Sequence, residues 1–266
     1  MTKVIIIAIL IMMTSNFTQT YGTQLSSSNY LTTASILQNS MGTKIKDYEP
    51  IFLSCKNSSQ LDLIAIRKFK NNNTEFTLVV EPNFLKTKIL RSSELNCQPL
   101  EITKFNETYY GKTLIAASSN SNTKFLQNAG LQKFLSREVY LTVDMCPSAK
   151  PFENSLFSWV EKTKSPMAVA LTATWAIGHK QEFERLKNIH FLNSNVSWIN
   201  HSYFHPYKIN LPFEQNFLLM SGINIEKEVL GNEIFMIENE ITPSVFFRFP
   251  GLVSNQALIQ NSQTGV

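Results

Sequence analysis

Cysteine, histidine and glycine are scarce in this chain of 266 residues, which holds three, four and nine of them. No CxxC pair and no Cys/His finger spacing joins Cys55, Cys97 and Cys146, which excludes a zinc finger of that kind. Cys55 and Cys97 both lie in the N-terminal half and could pair, leaving Cys146 alone; the competing reading leaves all three unpaired and buried. Charge of one sign is also lacking. The 24 basic residues exceed the 20 acidic ones by only four and are scattered, so the chain carries no nucleic-acid footprint. Past residue 13 there is no apolar run long enough to cross a bilayer.

The one long apolar run opens the chain. MTKVIIIAILIMM places Lys3 ahead of an unbroken hydrophobic stretch that stops at Thr14, with small or polar residues such as Thr20 and Gly22 following. This is the pattern of a secretory signal, too short to span a membrane, so residues 1–22 are expected to be a leader and the protein to be exported, periplasmic or secreted. The rest is globular in composition, 43% hydrophobic and 17% charged, enough for one large domain or two modest ones.

Texture divides the remainder. Residues 25–135 are rich in Asn, Ser and Thr, with short β-like runs (YEPIFLSC, LDLIAIRKF, EFTLVVEP) separated by the polar breaks KNSSQ and KNNNT. This half reads as mainly β, contains no catalytic constellation, and is followed by a linker candidate, SSNSNT, at 118–123. Residues 136–266 alternate between strand and helix. The runs 137–144, 166–178, 196–200 and 244–249 read as strands, and 151–164, 180–188 and 223–239 as helices, with Leu156, Trp159 and Val160 at helical spacing and Trp159 and Trp175 expected in the core. Repeated strand–helix alternation points to an α/β layer fold or a β/α barrel around a parallel sheet.

Polar residues then fall where such sheets do chemistry. Asp144 ends the first strand, His201 follows the third and Arg248 lies near the end of the last. Loops at the carboxyl ends of parallel strands converge on one rim, so these three are expected to meet. His201 and His205 stand four apart in WINHSYFHPY, a spacing suited to a shared metal ion. Pro206 disfavours helical geometry at His205, which places the pair on a tight loop. His179, on the same rim, could touch substrate, although a lone histidine is more often structural; His190 has no partner in sequence, and Trp198 could face either side of its sheet.

NHSYFHP resembles the His-Ser-x-x-His-Pro motif of the polysaccharide deacetylases, the NodB-homology carbohydrate esterases. YLTVDMCPS stands at the place of that family's Thr-Phe-Asp-Asp-Gly-Pro motif, ALTATWAIG at that of an Ala-Thr-Phe-Phe strand, and FFRFPG resembles its Arg-x-Pro motif, in the same order over residues 138–258. The resemblance implies an incomplete NodB-like β/α barrel over 136–266. It implies that His201 and His205 bind a divalent metal, usually zinc, that Asp144 is the general base, and that Arg248 orients it while Pro250 shapes the next loop. The backbone N–H of Gly251 would serve an oxyanion, and Tyr203 and Tyr207 could stack on a sugar ring or pack the loop. The implied reaction is metal-dependent amide hydrolysis on an N-acetylated polysaccharide or cell-envelope glycan; the competing class is a catalytically inactive glycan-binding module.

Two departures bear on that choice. Met145 stands where the family has its second aspartate, a metal ligand, so the third position falls to water, Cys146 or Asp144, and Met145→Asp is expected to tighten metal binding. The family's later motifs, with the histidine that supplies its general acid, have no counterpart before Val266, which implies a truncated product or a fragment of a longer protein.

Overall fold

The computed structural model describes residues 45–118, 126–127, 141–149, 152–193 and 196–263. The expected leader, all of the linker 118–123 after its first residue, and the start of the 137–144 run lie outside the described residues. The N-terminal β-like runs form an antiparallel sheet of β1 (Ile45–Asn57), β2 (Asp62–Asn71), β3 (Thr74–Glu81), β4 (Lys86–Arg91) and β5 (Leu95–Pro99), in the order β4-β3-β2-β1-β5. The polar breaks become its turns. Asn72, at φ 55°, makes the left-handed step between β2 and β3 that asparagine tolerates better than most residues. Antiparallel pairing sets Cys55 directly across from Cys97, and the two are joined in a disulfide. Helices α1 (Ile102–Glu107) and α2 (Tyr109–Ser118) follow, with Phe105 and Tyr110 packed edge to face over one side of the sheet.

In the second half, β6 (Leu126–Gln127) pairs with β10 (Val253–Ser254), and β7 (Thr142–Met145), β8 (Met167–Leu171) and β9 (Val196–Asn200) form a parallel sheet in that order. Between them run α3 (Asn154–Thr163), α4 (Ala173–Gly178) and α5 (Lys180–Asn193); α6 (Ile225–Glu238) and α7 (Gln256–Gln263) follow. The protein is thus a mixed α/β structure with an antiparallel N-terminal sheet. One core gathers Val169, Leu171, Trp175, Leu186, Ile189 and Trp198, so Trp198 faces the side of its sheet covered by α5.

Three expectations need correction. The run 166–178 is not one strand: Thr172 accepts a hydrogen bond from the Trp175 N–H and caps α4, so the strand stops at Leu171. The run 244–249 forms no regular strand. It borders β9 through one parallel bridge, Asn200 with Phe247, and through bonds from Ser244 N to the Trp198 carbonyl and from Arg248 N to that of Asn200. Pro243 and Pro250 bracket this short ladder and supply no backbone donor. Trp159 is 49% exposed, and the face α3 buries is Phe157 and Val160.

Helix α6 is shared by both halves. Asn224 caps it by accepting from the Lys227 N–H, as an asparagine before a helical run does. Ile234 and Ile237 pack into the core under the N-terminal sheet, whereas Phe235 and Met236 pack into that of the parallel sheet. A β-bulge in β2 adds a polar joint. The pairing with β3 shifts between Ala65 and Arg67, which places Arg67 opposite Leu78, on the face toward α6. There its guanidinium donates from Nε and Nη2 to the two oxygens of Glu233 at 2.7 and 3.2 Å, and the Tyr48 hydroxyl donates to the same carboxylate at 2.8 Å. Burial raises the Tyr48 hydroxyl well above its ordinary pKa, so it remains a neutral donor.

Candidate functional site

The parallel strands end in a row. His201 N donates to the Leu171 carbonyl at 3.0 Å, Arg248 N to that of Asn200 at 2.8 Å, and the Thr172 hydroxyl to that of Met145 at 2.7 Å. The expected convergence of strand ends therefore brings together Asp144, His201 and Arg248. Arg248 donates from Nη1 to Asp144 Oδ1 at 2.5 Å and to the Thr142 hydroxyl at 3.3 Å, with its own side chain only 4% exposed. Its carbonyl accepts from His201 Nδ1 at 2.8 Å. A carbonyl can only accept, so the proton sits on Nδ1 and the Nε2 lone pair is left to act.

His201 and His205 share a loop, not a helix. Ser202 at φ 74° and His205 at φ 51° are left-handed, and these two steps fold the chain back until the imidazole centroids are 4.9 Å apart. Several bonds hold that geometry. The Ser202 hydroxyl accepts from His205 N, Asn200 Oδ1 accepts from Ser202 N, and Glu228 Oε2 accepts from Phe204 N. Asn232 donates to Asn200 Oδ1 and to the Leu171 carbonyl, both at 2.8 Å. Glu228 and Asn232 both belong to α6, so that helix holds the histidine loop as well as the N-terminal sheet.

Strand alternation decides what β7 presents. Val143 and Met145 pack on the core side, Thr142 and Asp144 face Arg248, and Cys146 comes two residues after Asp144. Met145 is 3% exposed and packs in the apolar core, so Met145→Asp would bury a carboxyl among apolar side chains. That change is expected to lower stability by about 2 kcal/mol without tightening metal binding. Urea unfolding and zinc titration of the variant check both halves of the statement.

Cys146 Sγ lies 3.4 Å from His201 Nε2. The ligand atoms of Cys146, His201 and His205 all fall within 4.8 Å of one another. His205 Nε2 is buried and meets no hydrogen-bonding partner among the described residues. Ligand atoms around a tetrahedral zinc stand roughly 3.3–3.8 Å apart. Two nitrogens and a sulfur at this spacing, one nitrogen otherwise orphaned, thus suit a borderline-soft divalent cation after a small contraction. Burial lowers the pKa of both imidazoles, that of His205 to about 3 with His201 adding to the effect, which favours the neutral form that can ligate.

The remaining sequence candidates divide. Tyr203 packs on α6 beside Phe235 and Gly231, whereas Tyr207 is 56% exposed beside Phe217. Pro250 is buried at the start of a short turn of helix, and Gly251 follows at φ 64° with the Phe217 ring where a Cβ would sit. Phe217 in turn meets the His205 ring edge on at 5.7 Å, which links that turn to the histidine loop. His179 Nε2 bonds to the Ser148 carbonyl and His190 Nδ1 to that of Val196, so each is tied to backbone away from the pair. Asn200, Glu228, Asn232 and the Arg67–Glu233 pair escaped the sequence reading. Only Asn200, at a strand end directly before His201, had a positional signal.

A family model described as the RP012 protein N-terminal domain matches residues 46–119, on the antiparallel sheet and the two helices after it. Two solved structures are similar over about half of this chain. One is a family 4 carbohydrate esterase from Bacillus anthracis, at 18% identity and a TM-score of 0.35, with 47% of this chain and 55% of that chain covered. The other, from Streptomyces lividans, is a family 4 carbohydrate esterase in complex with acetate, at 20% identity and a TM-score of 0.31, with 48% and 59% covered. The match spans less than two thirds of either esterase.

Proposed function

We propose that the chain is an exported, metal-assisted hydrolase of the acetamido group on an N-acetylated cell-envelope polysaccharide. The observation that carries this reading is the meeting of a guanidinium-held carboxylate, Asp144 with Arg248, and a pair of neutral buried imidazoles at one row of strand ends. A divalent cation on His201 and His205, with zinc the first choice, would supply Lewis-acid activation of water and of the acetyl carbonyl. Asp144 would take the proton from the attacking water, and Arg248 would keep that carboxylate ionised and aimed. Gly251 N–H would face the developing oxyanion, with Pro250 fixing the turn. Tyr207, with its ring exposed, would stack on a sugar ring; Tyr203 would support the loop from behind. The Lys3-led apolar run and the Cys55–Cys97 disulfide support export.

Acetate released from chitin oligomers and from peptidoglycan fragments, with zinc or cobalt added, tests the reading. Release that stops on chelation and falls more than about a hundredfold in Asp144→Asn is expected. Oligomer binding that survives chelation, with no acetate from the metal-loaded protein, would instead mark a glycan-binding module.

A further inference from the structure

The turn after β7 gives the proposed metal a ligand of a different chemical kind. Residue 145, where the motif calls for a ligating carboxylate, points into the apolar core with Val143. Two residues after Asp144 the chain puts a thiol against the free nitrogen of His201. A ligand nitrogen of each histidine lies within 4.8 Å of that sulfur, and the buried His205 Nε2 meets no hydrogen-bonding partner among the described residues. Backbone contacts hold the turn directly before the sulfur: Thr172 donates to the Met145 carbonyl from both its N–H and its hydroxyl.

We infer that Cys146 is the third metal ligand, making a Cys-His-His site that selects a thiophilic borderline cation over hard oxygen-seeking ones. The inference rests on the proposed metal reading and deepens it. When the cation binds, the Sγ–H bond breaks, the Sγ–metal bond forms and one proton leaves to solvent; nothing is oxidised or reduced. A thiolate has little affinity for magnesium or manganese, whereas zinc, cobalt and cadmium accept sulfur and imidazole together. Asp144 is committed to Arg248, so it orders the site from outside the ligand set.

Cobalt(II) titration of the metal-free full chain with its Cys55–Cys97 disulfide intact provides the test, because a thiolate on cobalt produces an intense near-ultraviolet charge-transfer band that imidazole and carboxylate ligands do not. One cobalt per chain, with that band, is expected. Cys146→Ser should lose the band and bind zinc at least about tenfold more weakly, and Cys146→Asp should lose the band yet retain a bound metal. Cobalt bound without the band, and a Cys146→Ser affinity equal to that of the parent chain, would overturn the thiolate ligand while leaving the histidine metal site standing. Failure of the parent chain to bind cobalt or zinc at all would overturn both.

Discussion

Replacing Arg67 with Ala is expected to lower the unfolding free energy by about 3–5 kcal/mol, since it leaves a buried carboxylate without its counter-charge. Both side chains are nearly dry, 11% exposed for Arg67 and 10% for Glu233, and the guanidinium meets the carboxylate through two bonds while Tyr48 supplies a third. A surface ion pair would contribute less than about 1 kcal/mol, so the size of the effect reports the burial. Arg67→Lys should cost less than Arg67→Ala but still register, because an ammonium cannot reproduce the fork. The double variant Arg67→Met with Glu233→Leu should recover much of the loss, as it removes both charges from the apolar contact. Urea midpoints for the three variants and the parent chain check this; a change under about 1 kcal/mol for Arg67→Ala would mean that water reaches the pair.

The second large effect concerns metal affinity. His201→Ala and His205→Ala are each expected to weaken zinc binding by more than about a hundredfold, because removing even the residues that orient metal ligands costs ten- to a hundredfold. His179→Ala and His190→Ala should leave it within about threefold, as their rings bond to backbone carbonyls of other segments. Isothermal titration of the four variants separates the pairs. Equal affinity across the set would make the close approach of His201 and His205 a packing feature and remove the basis for the hydrolase reading.

Much of the site could be read from local sequence, and the reason is geometric. Asp144, His201 and Arg248 each stand at or near the end of a run that behaves as a parallel strand, and parallel neighbours end at the same level, so sequence position translates into a place on one rim. Pro206 signalled in the same way that the histidine pair sits on a loop and not on a helix, but the left-handed φ of His205 lies outside the extended region that a following proline favours. What remained hidden depended on partners far along the chain. Nothing near Met145 says that it faces inward while Cys146 faces the histidines; that follows from which side of β7 the helices cover. The Thr172 cap is a single hydroxyl inside a run whose apolar and β-branched residues suit a strand, so the change to helix at Ala173 was invisible to periodicity. Glu228, Asn232 and Glu233 look like the solvated face of an ordinary helix until both sides of α6 are seen to be covered.

The joint between Arg67 and Glu233 also sets an order of events while the chain is being made. The partners are separated by 166 residues, so at about 5–20 residues per second the ribosome needs roughly 8–33 s to deliver the second after the first. Once β5 has been made within that interval all five strands of the antiparallel sheet are available, yet the sheet's α6-facing side still lacks Ile234, Ile237 and the counter-charge for Arg67. That side of the sheet therefore cannot be sealed from within the chain until α6 emerges.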